Sequence, residues 1–76
     1  MKNILSFLLE NEGTYSVDKF INVSGISRNE LVSFFNEIRK LKPLWLKVVA
    51  ETETGIGVFS LNYDFKEEIK KYISVN

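Results

Sequence analysis

Residues 23–41 read VSGISRNELVSFFNEIRKL. The segment divides at a turn. Gly25 stands where a left-handed residue closes one helix, and Ser27 with Glu30 makes the S-x-x-E pattern of a capping box that opens the next. A helix is therefore predicted from about Arg28 to Leu41. Leu31, Phe34, Phe35, Ile38 and Leu41 recur at helical spacing and are assigned to its buried face. Arg39, Lys40 and Lys42 gather at its C-terminal end, where the helix dipole favours cations. Pro43 then forbids continuation.

Upstream, residues 2–11 read as a first helix, with Ile4, Leu5, Leu8 and Leu9 on the 3.6-residue period. Phe7 falls off that stripe, so the apolar arc is wider than one core face needs. Gly13 ends the helix, and Thr14-Tyr15-Ser16 is short and β-prone. Ser16 offers an N-cap, with Asp18 in the first turn. The second helix runs from about Val17 to Ser24 and buries Phe20 and Ile21.

Downstream, LWLKVVAE (44–51) and GVFSLNY (57–63) alternate as strands do, joined by TETGIG (52–57). Leu44, Leu46 and Val48 are predicted on one face of the first strand, with Trp45, Lys47 and Val49 on the other. Phe59 and Leu61 turn inward. A last helix is predicted from about Phe65 to Val75, striped by Phe65, Ile69, Tyr72 and Ile73. Glu67 and Lys71 stand four apart on its wet side.

Composition narrows the function classes. The 76 residues suit one domain, 1–76, and a core of this size needs large side chains. Six Phe, three Tyr and one Trp supply them. There is no Cys and no His, so thiolate sites and the commonest general base are missing. No nucleophile–base pair or phosphate-cradling loop is visible, and neither catalysis nor a cofactor is expected. The N-terminal MKNILSFLLENE is too short and too soon charged for a signal peptide or a membrane span. The reading is of a soluble, cytoplasmic protein.

Formal charge is zero but unevenly spread. Residues 27–50 hold five basic against two acidic side chains, whereas the segments on either side are net acidic. The positive third contains the quoted helix.

The order is helix, short strand, helix, tight turn, helix, hairpin, helix: an α+β chain, mainly α. It resembles the winged-helix branch of the helix-turn-helix proteins over nearly its whole length. VSGIS carries the closest match, with Ile21 four residues before Gly25 and Leu31 six after it. The resemblance implies that residues 28–41 form a recognition helix for the major groove and that residues 51–57 form the tip of a wing. Transcriptional regulation is the function it implies, with double-stranded DNA as partner.

At about 100° per residue, Asn29, Ser33, Asn36 and Lys40 point away from the core stripe. Asn29, Ser33, Asn36 and Val32 are the candidates for base readout. Asn can bond adenine twice, Ser can donate or accept, and Val can touch a thymine methyl. Lys19, Arg28, Arg39, Lys40, Lys42 and Lys47 are the phosphate candidates. Two Asn on an exposed helix face, where propensity would choose Lys or Glu, hint at a use beyond solvation.

The same residues also make an ordinary solvated face, and Asn recurs throughout the chain. ETETGIG (51–57) holds two Glu and no base, so the wing tip is a poor phosphate contact. The alternative is a winged-helix interaction module, or a subunit of a nucleic-acid-processing or scaffold complex, that binds no DNA. Phe7, Trp45, Val49 and Tyr72 are candidate protein-interface residues. Trp45 is as readily read as packing under the last helix. Self-association through the first and last helices is expected, because both carry apolar surface and because two half-sites would strengthen DNA binding.

Overall fold

The computed structural model describes residues 1–75. Four helices and three strands follow in the order α1 (Lys2–Glu10), β1 (Tyr15–Ser16), α2 (Val17–Ser24), α3 (Arg28–Leu41), β2 (Leu46–Thr52), β3 (Gly55–Leu61) and α4 (Lys66–Ser74). Short 3₁₀ turns at Pro43–Trp45 and Tyr63–Phe65 precede β2 and α4. The chain is an α+β fold, mainly helical, with one antiparallel sheet in the order β1-β3-β2.

The caps act where the sequence places them. Ser16 Oγ accepts from the Lys19 amide and Ser27 Oγ from the Glu30 amide, both at 3.2 Å. The Ser27 hydroxyl also meets the Glu30 carboxylate at 3.2 Å, so the two side chains join directly. Gly25 closes α2 at φ 74°, and its amide donates to the Ile21 carbonyl.

β3 is the central strand, with Tyr15 opposite Phe59 on one side and Leu46 opposite Leu61 on the other. Phe59 is fully buried and meets Phe20 and Phe35 edge-on at centroid distances of 5.4 and 4.9 Å. Ile4, Leu5 and Leu8 of α1, Leu31, Phe34 and Ile38 of α3, and Ile69 of α4 complete the core. Replacing Phe59 by alanine would cost about 3–5 kcal/mol, the usual loss for a buried aromatic.

Four sequence expectations change. Leu44 and Trp45 lie in the 3₁₀ turn, not in β2, because Pro43 starts a tight turn with a preset φ. Trp45 is 3 % exposed, stands edge-on to Tyr72 at 5.5 Å, and donates through Nε1 to Glu68 at 3.3 Å. It therefore leaves the candidate interface and joins the core beneath α4. Leu41 is 60 % exposed, although helical spacing assigns it to the buried face, and Leu44 is 69 % exposed. Leu41 closes the final turn of α3, beyond the reach of the elements that cover Ile38. Glu67 pairs with Lys70 at 3.4 Å rather than with Lys71.

The α1 end is tied to the far side of the chain. The Tyr63 hydroxyl donates to the Leu8 carbonyl at 3.0 Å and accepts from the Gly13 amide at 3.2 Å. Leu8 belongs to the last turn of α1, whose carbonyls lack helical partners. Burial raises the Tyr63 pKa above its ordinary value, partly offset by the Gly13 bond. Lys66 pairs with Glu12, and that hydrogen bond raises the Lys66 pKa. Among the described residues, every buried side-chain nitrogen or oxygen has a partner, and no helix is long and apolar enough to cross a membrane.

Candidate nucleic-acid interface

α3 owes its position to its own pattern. Leu31, Phe34, Phe35 and Ile38 anchor one face, which turns the remainder outward. Asn29, Val32, Ser33, Asn36 and Lys40 are all exposed. Among the described residues, the side chains of Asn29, Ser33, Asn36 and Lys40 have no hydrogen-bond or ion-pair partner within the chain.

The helix has two unlike flanks. Arg28, Val32, Asn36 and Arg39 face the β2–β3 hairpin and share a groove of about 420 Å³ with Thr54, Gly55 and Ile56. Asn29 and Ser33 border a second groove on the α1 side, beside Met1, Asn3, Glu30 and Glu37. The candidate readout set is thus split, with Asn36 and Val32 on a basic flank and Asn29 and Ser33 beside an acidic one.

Both arginines of the basic flank have carboxylate neighbours. Arg28 Nη2 lies 2.6 Å from Asp18 Oδ1, and Arg39 Nη2 lies 3.8 Å from Glu51 Oε1. All four side chains are at least half exposed. Pairs this wet contribute about 0–1 kcal/mol, so a phosphate can compete for either guanidinium. The other basic candidates are scattered. Lys19 sits on α2 and Lys47 on β2, both exposed. Lys42 has its ammonium 5.4 Å from the centre of the Trp45 ring, a cation–π contact that holds it beside the 3₁₀ turn.

Of the interface candidates, Phe7 is partly buried and meets Phe20 edge-on at 5.4 Å. Tyr72 packs against Trp45 and lies under the Lys2 ammonium. Val49 is 59 % exposed. The off-stripe position of Phe7 thus serves α2 within the chain.

Sequence reasoning missed the hairpin side of the groove. Thr54, Gly55 and Ile56 share the groove with side chains from Arg28 to Arg39, along most of the length of α3. An apolar Ile between two glycines in an otherwise polar turn was the available signal. The pairing of Asp18 with Arg28 had none, because it depends on how α2 crosses α3. Among the described residues, no three acidic side chains gather closely enough to hold a metal ion.

No family model, curated protein or solved structure matches the chain. Its chemistry is therefore read from the surface itself: an outward helix face of amide, hydroxyl and ammonium groups, beside a groove edged by two guanidinium groups. Such a face can donate to and accept from base edges, while the arginines can hold anionic oxygens.

Proposed function

We propose that this chain is a winged-helix DNA-binding protein, a transcriptional regulator that reads duplex DNA with α3. The carrying observation is the outward face of that helix, where Asn29, Ser33, Asn36 and Lys40 are exposed without partners in the described chain. The order of elements and the hairpin beside α3 support the winged-helix reading. The fourteen residues of α3 span about 21 Å at 1.5 Å per residue, and the major groove is wide enough to admit a helix.

In this reading Asn36 and Val32 address base edges, and Arg28 and Arg39 exchange carboxylate for phosphate. Asn29 and Ser33 reach bases on the opposite side. Glu30 and Glu37 keep that flank away from the backbone. Cytoplasmic location follows as part of the same proposal. The test is fluorescence anisotropy of labelled random-sequence duplexes at low salt, where electrostatic attraction is least screened. Saturable binding that weakens with added salt is the expected result. No binding at low salt would remove the reading.

A second reading rests on Leu41 and Leu44. These exposed side chains edge a shallow groove of about 210 Å³ beside Trp45 and Phe65. That surface suits an interaction module better than a DNA reader. Loss of a protein partner on Leu44→Ser, with duplex binding absent in the parent, would favour it.

A further inference from the structure

The groove between α3 and the hairpin is apolar along much of its wall. Val32 and the half-buried Val17 and Ile56 line it, together with the buried Leu31 and Phe35. A duplex offers one apolar group in its major groove, the thymine methyl, which leaves most of this lining without a counterpart. The charged side chains of the lining are Arg28 and Arg39, one from the first turn of α3 and one from the last. Their carboxylate neighbours, Asp18 and Glu51, are not part of it.

The two arginines are eleven residues apart on one helix. At 1.5 Å and about 100° per residue they stand about 16 Å apart along the axis and about 20° apart around it. The groove therefore runs along the helix with a cation at each end. Neither guanidinium is saturated. Arg28 donates to Asp18 through Nη2, and Arg39, 3.8 Å from Glu51, is too distant for a hydrogen bond. A guanidinium has five N–H donors. The volume of about 420 Å³ suits a small molecule.

We propose that this groove binds an elongated amphipathic dianion, a small molecule with a carboxylate at each end and an apolar body between. The carboxylates pair with Arg28 and Arg39, replacing the exposed and weak contacts to Asp18 and Glu51. The body lies along Val17, Val32 and Ile56, out of water. An extended acidic peptide fits less well. About five residues would span the same length, and their amides and carbonyls would meet only two uncharged polar side chains, Asn36 and Thr54.

The ligand covers Val32, Asn36 and both arginines, so it excludes a duplex from the same face of α3. That regulatory consequence rests on the DNA-binding reading, whereas the site itself does not.

Calorimetric titration of the full chain with dodecanedioate and with its monomethyl ester tests the proposal. The diacid should bind saturably, one per chain, and the monoester about tenfold more weakly, because one end has lost its charge-assisted bonds. Arg28→Gln and Arg39→Gln should each bring diacid and monoester to within about twofold of one another. Both side chains are exposed, and circular dichroism checks that the fold is kept. Octanedioate, too short to reach both arginines, should show little preference over its own monoester. Methyl signals of Val32 and Ile56 should shift on binding in nuclear magnetic resonance spectra. No saturable binding at millimolar diacid overturns the proposal. So does a preference for the diacid that survives either substitution or ignores chain length, or shifts confined to Leu41 and Leu44. In a separate arm, dodecanedioate should displace a duplex held by the wild-type chain. Ligand binding by a chain that ignores duplexes supports the site and removes only the DNA reading. Duplex binding with no ligand binding does the reverse.

Discussion

Arg28 and Asp18 join the N-terminal turns of α3 and α2 through a 2.6 Å contact in open solvent. The pair occupies a guanidinium that a phosphate could otherwise take. Asp18→Asn should therefore change stability by less than about 1 kcal/mol, the scale of exposed pairs. Duplex affinity should rise, and the salt dependence should steepen as Arg28 becomes available. Anisotropy titrations at two salt concentrations read both effects. Arg28→Ala in the same background should cancel the gain.

Readout and positioning separate on α3. Asn36→Ala should lose about 1–3 kcal/mol of discrimination at one or two base pairs. Lys40→Ala should weaken all sequences alike and reduce the salt slope by about one unit. Glu53→Lys in the hairpin turn should strengthen non-specific binding by replacing repulsion with attraction. Competition between a selected duplex and random duplexes distinguishes the three.

Tyr63 links stability to alkaline pH. Its folded pKa is raised, chiefly by burial, so the folded chain holds the phenolic proton more firmly than the unfolded chain. The associated stability is complete below about pH 10, the ordinary tyrosine value. It is lost as pH rises through the folded pKa. Tyr63→Phe removes this component and leaves the Leu8 carbonyl and Gly13 amide without their partner, at about 1–3 kcal/mol. Urea midpoints at pH 7 and pH 11 should show a smaller alkaline decline in the variant than in the parent. Lys66, raised by its bond to Glu12, supplies a decline of the same sign in both proteins.

Two glycines differ in kind. A Cβ at Gly25 would meet no atom within 4 Å, so Gly25→Val tests backbone strain alone at φ 74°. A loss of about 1–2 kcal/mol is expected, and Gly25→Asn should lose less because Asn tolerates this region. A Cβ at Gly57 would stand 2.9 Å from the Thr52 Cγ2 methyl. Gly57→Ala should cost about 1–3 kcal/mol through overpacking. Thr52→Ser, which removes that methyl and keeps the hydroxyl, should recover most of it. Thermal denaturation of the four variants, including the Gly57→Ala/Thr52→Ser double, measures both effects.

The bounds of α2 and α3 were legible because each has a local chemical stop or start: Ser16, Gly25, Ser27 and Pro43. The start of β2 was not. Leu44, Trp45 and Leu46 read as alternation in either conformation, and the turn set by Pro43 decided between them. The outward placing of Asn29, Ser33, Asn36 and Lys40 followed from helical geometry. Their division between a basic and an acidic groove did not, because it depends on where the hairpin and α1 lie across α3. Leu41 matched the helical period yet lies outside, since periodicity cannot tell where the cover over a helix ends.

The central place of β3 affects how the protein is made. Its neighbours β1 and β2 come from distant and adjacent parts of the chain, and Phe59 supplies the ring against which Phe20 and Phe35 close. During synthesis three helices leave the ribosome before that ring exists, and distant pairings carry a loop-closure cost. The sheet cannot assemble until residue 61 has cleared the exit tunnel. Folding is therefore a late event on the nascent chain, and a product that stops short of Phe59 meets the cell's proteases without the ring on which Phe20 and Phe35 close.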